Sequence, residues 1–230
     1  MSETATLTAL EERLRSVPRP VPLMSRDDHA TLTRRQREIL DELTDLIVDG
    51  FSHLTMADLA ARLGCSLRTL YGIASSRDQL VLVACDTALW RTGRTARSAA
   101  ATSGELDPLA AIGAYLRAAT RAVSATTPAF MADLVDVPGG ADLRSAHSRY
   151  LVAITKELLD AAVEAGQIAD VDTLVVAHAL AGISNVFTHP DVIDTLAGTP
   201  KQASDHIASL ILRGLTAPPE TSPTPDQEPS

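Results

Sequence analysis

The residues best suited to recognise another molecule lie together at positions 64–72. Arg68 can donate two parallel hydrogen bonds to the O6 and N7 atoms of a guanine. Thr69 can donate or accept a hydrogen bond and can place its methyl group against that of a thymine. Both would lie on the outward face of a helix predicted over 67–73, with Tyr71 at the edge of that face. This face predicts recognition of base edges in a major groove.

The apolar residues around this segment have the spacing of a helix-turn-helix. Leu59 and Leu63 form a stripe on a preceding helix, predicted over 56–63, and Ala60 is small enough for the next helix to cross closely. Gly64 follows where the chain must turn sharply, so we expect a positive φ there. The inward positions after the turn are Cys65, Leu70 and Ile73. In such motifs the second helix enters the major groove, whereas an ordinary antiparallel helix pair is the alternative interpretation.

Helical periodicity extends along most of the chain, and the alternation typical of strands is almost absent. We therefore predict an all-α fold, with an N-terminal three-helix domain that contains the helix-turn-helix and a larger C-terminal helical domain. The predicted divisions are a flexible N-terminal extension over 1–32, a helix-turn-helix domain over 33–80, a helical domain over 81–215 and a disordered proline-rich tail over 216–230. Within the extension, Leu7, Leu10 and Leu14 share one face and allow a short amphipathic helix.

Composition and charge exclude several classes of protein. The chain carries 20 Lys and Arg against 29 Asp and Glu, a net charge of −9 that argues against coating nucleic acid or membrane by bulk attraction. Cys65 and Cys85 have neither disulfide-framework nor metal-site spacing, so we expect a reducing compartment, no metal and no cofactor. The N-terminus has no signal-peptide pattern and no segment is apolar enough to span a membrane, so a cytoplasmic protein is expected.

Residues 34–80 together resemble the DNA-binding domain of the TetR family of transcriptional regulators. The residues that carry the resemblance are Arg37-Glu38-Ile39-Leu40, Gly50-Phe51, Leu54-Thr55-Met56-Ala57-Asp58-Leu59-Ala60, Gly64-Cys65-Ser66-Leu67-Arg68-Thr69-Leu70-Tyr71 and Ser76-Arg77-Asp78-Gln79-Leu80. Two positions depart from the family pattern. Ala74 replaces the usual aromatic residue and so removes an apolar plug between two helices, whereas Arg77 replaces the usual lysine and keeps its charge.

The resemblance implies phosphate contacts from Thr55, Tyr71 and Arg77, and helix N-termini near Thr55 and Arg77 are natural anion sites. Arg34 and its neighbour Arg35 either hold the DNA backbone or a minor groove, or belong to a solvated face. The implied partner is a palindromic double-stranded operator. The predicted DNA-binding residues are Arg34, Thr55, Met56, Ser66, Leu67, Arg68, Thr69, Tyr71, Gly72 and Arg77.

The resemblance also implies that the domain over 81–215 senses a small molecule and forms a homodimer. Small residues recur along two predicted helices, 171–188 and 201–214, where they would let a second copy approach closely. The predicted interface residues are Val175, Ala179, Gly182, Val186, Ile207, Leu210 and Ile211; core helices within one chain are the alternative. The candidate ligand-pocket residues are Trp90, Tyr115, Phe130, His147, Tyr150, His178 and Asn185. Each is also compatible with ordinary core, and the last two could instead pair across the interface.

These observations predict a dimeric repressor that leaves its operator when an unidentified small-molecule effector binds. One alternative is an all-α enzyme, against which the sequence lacks the H-E-x-x-H, G-x-S-x-G and P-loop patterns. The other alternative is a helical interaction protein with a vestigial helix-turn-helix, for which Ala74 is the only hint.

Overall fold

The computed structural model describes residues 3–103, 108–123, 127–187 and 190–216, and all regular structure in those ranges is helical. In chain order the helices are α1 (Glu3–Ser16), α2 (Arg26–Thr31), α3 (Arg34–Leu46), α4 (Met56–Arg62), α5 (Leu67–Tyr71), α6 (Arg77–Ser103), α7 (Pro108–Val123), α8 (Pro128–Asp136), α9 (Gly140–Glu164), α10 (Thr173–Phe187), α11 (Pro190–Ile193) and α12 (Pro200–Thr216). A 3-10 turn, Ile47–Asp49, extends α3. The predicted all-α fold is confirmed. The predicted proline-rich tail lies outside the described residues after Thr216.

Helices α3, α4 and α5 and the first turns of α6 enclose one apolar core. Ile39, Leu59 and Leu70 each contribute a fully buried side chain to it. The start of each helix is fixed locally, because Thr33 and Thr55 form capping boxes and the Ser66 hydroxyl accepts a hydrogen bond from the third residue of α5. Capping residues in the sequence therefore set where the three helices begin.

The turn between α4 and α5 depends on Gly64. Its φ is +58°, in the left-handed region where a residue with a β-carbon is strained. Immediately after it, the Cys65 N–H donates to the Ala60 carbonyl at 3.0 Å and so closes the end of α4. The positive φ expected from the sequence is confirmed.

A second apolar core lies among the rest of α6 and helices α7, α9, α10 and α12. Ile112, Ile154 and Leu158 are fully buried there, and Tyr115 is buried on α7. Burial raises the pKa of the Tyr115 hydroxyl far above its ordinary value. Among the described residues, no helix is both long and apolar enough to cross a bilayer.

The N-terminal segment differs from the flexible extension expected over 1–32. Helix α1 packs along α9 and buries Leu10 and Leu14 in the second core. Its Arg13 pairs with Glu157 at 3.2 Å and with Glu164 at 2.5 Å, both on α9. The apolar face noted in the sequence is what docks the segment, because removing apolar side chains from water favours their burial.

Candidate nucleic-acid interface and ligand cavity

The outward face of α5 presents the side chains that the sequence singled out for base recognition. Arg68 is exposed, and its guanidinium has no hydrogen-bond or ion-pair partner among the described residues. Leu67 and Tyr71 beside it are 45% and 54% exposed, whereas Leu70 on the opposite face is fully buried. An arginine held on a short rigid helix with all its donors free is suited to bidentate contact with guanine.

Ser66 and Thr69 are engaged with each other at the start of α5. Their hydroxyl oxygens lie 2.8 Å apart, and the Ser66 hydroxyl also accepts from the Thr69 N–H at 3.1 Å. Thr69 is half-buried. These contacts fix the first turn of α5, so both residues orient the helix as well as belonging to its outer face.

Gly72 is exposed at the end of α5, on the outward side where we predicted it as a DNA-binding residue. A β-carbon at this position would lie 2.5 Å from the terminal side-chain nitrogen of Gln36, which can move aside, and 3.3 Å from the Thr69 carbonyl oxygen.

The start of α4 is already occupied by a carboxylate from its own first turn. The Asp58 carboxylate accepts hydrogen bonds from the Thr55 N–H at 2.9 Å and from the Thr55 hydroxyl at 2.6 Å. The Thr55 hydroxyl and N–H lower the pKa of the Asp58 carboxyl. Met56 is half-buried against the first core. A phosphate contact from Thr55 would have to share these donors with Asp58.

Arg77 holds the loop between α3 and α4 through its guanidinium group. Its Nε donates to the Leu54 carbonyl at 2.6 Å, and its Nη2 donates to the carbonyls of Phe51 and Ser52 at 2.6 and 3.2 Å. Its Nη1 pairs with Asp78 at 3.0 Å. The side chain is only 25% exposed. The structure therefore gives Arg77 a loop-binding role that the sequence did not indicate, and leaves few donors for the phosphate contact that we predicted.

Two neighbouring arginines at the start of α3 are paired within that helix. Arg34 is 91% exposed and contacts Glu38 at 2.9 Å. Arg35 contacts Glu42 at 2.9 Å and donates to the Leu63 carbonyl at 3.1 Å. Arg34 can reach outward without loss of a buried contact, because an exposed ion pair contributes only about 0–1 kcal/mol.

A cavity of about 560 Å³ lies where α6, α7, α8 and α9 meet, and it reaches the end of α3. Its volume falls within the roughly 300–1,000 Å³ of small-molecule sites. Five of the seven predicted pocket residues line it: Trp90, Tyr115, Phe130, His147 and Tyr150. The sequence did not indicate the lining residues Thr44, Asp45, Val48, Arg91, Arg144 and Arg149, which come from helices with no evident ligand pattern.

A buried hydrogen bond between His147 and Asp86 supports one wall of this cavity. The His147 Nε2 lies 2.8 Å from an Asp86 carboxylate oxygen, and both side chains are buried. The other oxygen of Asp86 accepts from the Leu23 N–H at 2.8 Å, which ties the N-terminal segment to α6. The His147 ring packs edge-on against Trp90, with ring centroids 5.3 Å apart. Histidine at 147 is thus both a lining residue and a tether between α9 and α6.

Two predicted pocket residues are not placed in the cavity. His178 is exposed on α10 and does not line this cavity, because the helical rotation that buries Ala177 and Leu180 turns His178 to the outside. Asn185 belongs to α10, but its side chain lies outside the described residues.

Helix α8 joins the cavity to the helix-turn-helix domain. Its Asp133 carboxylate accepts hydrogen bonds from the N–H groups of Phe51 and Ser52, the latter at 2.7 Å. Phe130 lines the cavity and packs edge-on against Phe51, with ring centroids 6.0 Å apart. A displacement at the cavity wall therefore has a direct packed route to the loop that precedes α4.

No protein-family model matches this sequence, and no curated protein matches it significantly. Solved structures do match. A TetR transcription regulator from Haloarcula marismortui superposes with a TM-score of 0.67 at 17% identity, over 80% of this chain and 98% of that one. A transcriptional regulator from Pseudomonas aeruginosa superposes with a TM-score of 0.64 at 20% identity, over 81% of this chain and 93% of that one. A TetR regulator from Streptomyces coelicolor superposes with a TM-score of 0.53 at 24% identity, over 79% of this chain and 98% of that one.

This chain has the TetR fold. The likeness covers about four fifths of the chain, so it includes the C-terminal helices as well as the residues that carried the sequence resemblance. In this TetR fold, Ala74 is buried in the first core at the position where the sequence departs from the family pattern. Leu80, Val81 and Ala84 of α6 belong to the same apolar core.

Helices α10 and α12 of the TetR fold pack on each other and leave an apolar outer face. Val175, Val186 and Leu210 are 62%, 55% and 44% exposed, and Ala179 is exposed between them. A β-carbon at Gly182 would meet no atom within 4 Å. Ile207 and Ile211 are half-buried at the edge of this face. In a single chain, therefore, four of the seven predicted interface residues are exposed, whereas Ile211 packs against the second core.

Proposed function

We propose that this protein is a sequence-specific, dimeric DNA-binding transcriptional regulator of the ligand-released repressor type. The observation that carries the proposal is Arg68, exposed and unpartnered among the described residues on the outer face of a capped α5. A surface arginine without a partner is ordinary, but this one occupies the first turn of the second helix of a helix-turn-helix, where base-contacting residues lie.

Dimerisation follows from the geometry of recognition. One α5 reads a few base pairs, whereas a palindromic operator offers two half-sites about 34–36 Å apart or a multiple of that distance. The exposed apolar face of α10 and α12 offers a surface on which a two-fold dimer would hold two copies at a fixed separation. Apolar side chains such as Val175 and Val186 are in contact with water in the single chain, and their removal from water in a dimer is favourable.

Ligand release is supported by where the cavity lies. Residues of α3, α6 and α8 share its wall, so a bound molecule would contact the helix-turn-helix domain and the C-terminal helices together. A ligand that fits one arrangement of these helices better than another shifts their equilibrium, with coupling of about 1–3 kcal/mol. We further infer that the chain has no catalytic activity and acts in the cytoplasm, because its structural neighbours are described as transcriptional regulators.

The test begins with selection of binding sites from a random duplex pool by the purified full-length protein. Fluorescence anisotropy then compares a selected duplex with a scrambled duplex of the same composition. We expect affinity for the selected duplex to be at least about 10³-fold higher at physiological salt. Equal affinity for both duplexes would rule out sequence-specific recognition and favour a helical interaction protein.

A further inference from the structure

The geometry points to an amphipathic organic anion as the ligand of the cavity, with its acid group pairing with Arg91 in competition with Asp41 and Asp45. Binding of this ligand is inferred from the cavity alone. Its effect on DNA affinity rests on the proposed function above.

The charge of the lining selects the sign of the ligand. Three arginines line the cavity, Arg91, Arg144 and Arg149, and the one acidic side chain lining it among the described residues is Asp45. This excess of positive charge occurs in a chain whose net charge is −9. Arg144 has no partner among the described residues, and Arg149 contacts only the hydroxyl of Ser145, at 2.9 Å. The cavity therefore offers cationic donors that the protein does not itself neutralise.

The remainder of the lining selects an apolar body. Leu89, Phe130, Met131 and Leu180 contribute hydrocarbon and ring surface, and the buried Tyr115 also lines the cavity. Apolar walls with a few placed polar groups are the usual composition of a small-molecule site. A molecule with an apolar tail and one acid group matches both parts of the surface.

Arg91 is the cation whose present partners belong to the helix-turn-helix domain. Its two Nη atoms contact Asp41 at 2.7 Å and Asp45 at 2.8 Å, both on α3. These carboxylates are 66% and 76% exposed, so water competes for them and the pairing is weak. An acid group held in the partly enclosed cavity is less hydrated, and it can take Arg91 from two exposed carboxylates.

The exchange of partners at Arg91 would act on α3, which shares the first core with α4 and α5. With Arg91 turned to the ligand, α3 loses two contacts to α6 and keeps two unpaired carboxylates beside it. The ligand would thus loosen the hold of α6 on the helix-turn-helix domain, which is the direction required for release of an operator.

The test uses three probes with one alkyl chain and different head groups: decanoate, 1-decanol and decylammonium, all below their aggregation concentrations. Binding to the full-length protein is followed through the fluorescence of Trp90, the single tryptophan, which lines the cavity. We expect decanoate to bind about tenfold more tightly than decanol, the change given by one charge-assisted hydrogen bond, and decylammonium to bind most weakly. The advantage of decanoate should shrink as salt is raised, because salt screens the ion pair.

Variants separate the competition at Arg91 from general attraction. Arg91→Gln should remove the preference for decanoate, whereas Arg121→Gln, an exposed arginine outside the lining, should keep it. Asp41→Asn should raise decanoate affinity about two- to fivefold, because Asp41 holds Arg91 without lining the cavity. Asp49→Asn makes the same change of charge away from Arg91 and should leave affinity unchanged.

Two results would overturn the inference. Decanol binding as tightly as decanoate would show that the ligand is not selected by its charge. Equal effects of Asp41→Asn and Asp49→Asn would show that no competition occurs at Arg91. Neither result depends on DNA, so the proposed regulatory function is judged separately by anisotropy with the selected duplex.

Discussion

Two arginines that the sequence assigned to DNA have opposite surroundings in the folded chain. Arg68 has no partner among the described residues, whereas four hydrogen bonds tie Arg77 to the loop before α4 and to Asp78. A free guanidinium keeps all five donors for an incoming base, and an engaged one stabilises what it holds. The two residues should therefore differ in which property their removal changes.

Removal of Arg68 should weaken specific binding alone. Arg68→Ala is expected to cost about 1–3 kcal/mol on a selected duplex and to leave scrambled-duplex affinity nearly unchanged, because the lost hydrogen bonds are to bases. Anisotropy measures both affinities. Arg121→Ala, which removes an exposed arginine from α7, serves as the control. Equal weakening on both duplexes would instead make Arg68 a phosphate contact.

Removal of Arg77 should lower the stability of the protein. Arg77→Ala leaves the carbonyls of Phe51 and Leu54 without their donor, so we expect a loss of about 1–3 kcal/mol in urea unfolding. Arg34→Ala should change stability by less than about 0.5 kcal/mol, since that side chain is 91% exposed. If Arg77→Ala left stability intact but reduced the salt slope of DNA binding by about one, the residue would be a phosphate contact after all.

At the scale of elements, α8 decides how the helix-turn-helix domain is held. Burial works against ionisation of Asp133, but the N–H groups of Phe51 and Ser52 outweigh it, so the pKa of its carboxyl lies below the ordinary value. A carboxyl with a lowered pKa in the folded state stabilises that state above its unfolded pKa, near 3.9. The stabilisation is lost as the pH falls through the folded pKa.

This sign gives a measurable pH dependence. At pH 7, Asp133→Asn should lower the free energy of unfolding by about 1–2 kcal/mol, because the neutral amide accepts the two N–H groups less strongly. The difference between wild type and variant should fade as the pH falls below about 4 and through the lowered pKa of Asp133, because the wild-type carboxylate is then protonated. Asp136→Asn, exposed on the same helix, provides the control. A difference that stayed constant down to pH 3 would show that the charge of Asp133 does not matter.

At the scale of the whole molecule, the uncovered face of α10 and α12 should decide whether two recognition helices can act together. Gly182 lies on this face with open space where a β-carbon would be, so a β-carbon added there meets no atom of the protomer within 4 Å. The same side chain would obstruct a second copy approaching closely. This position can therefore separate folding from assembly.

Gly182→Leu should leave the folded chain intact and weaken the dimer by about 1–3 kcal/mol, the usual cost of overpacking a close contact. Sedimentation equilibrium measures the dimer, and affinity for a selected palindromic duplex should fall in parallel. Ala110→Leu adds a similar side chain to the exposed surface of α7 and should change neither property. A Gly182→Leu protein that remained fully dimeric would place the interface elsewhere.

The sequence by itself determined the elements whose causes are local. The helices predicted over 56–63 and 67–73 correspond to α4 and α5, and Gly64 has the expected positive φ. The caps at Thr33, Thr55 and Ser66 are likewise local, because each depends on residue types within a few positions. The apolar periodicity over 171–188 and 201–214 was also enough to predict α10 and α12 with their approximate ends.

Only the tertiary structure decided which residues from distant helices share a site. The engagement of Arg77 with Phe51, and the meeting of Arg91 with Asp41, join positions more than twenty residues apart, and no local pattern encodes either contact. For the same reason, the sequence could not show that His178 lies outside the cavity. The rotation of α10 against its neighbours decides which of its side chains face inward. Local hydrogen bonds fix where a helix begins, whereas the packing of whole helices fixes which of its side chains meet.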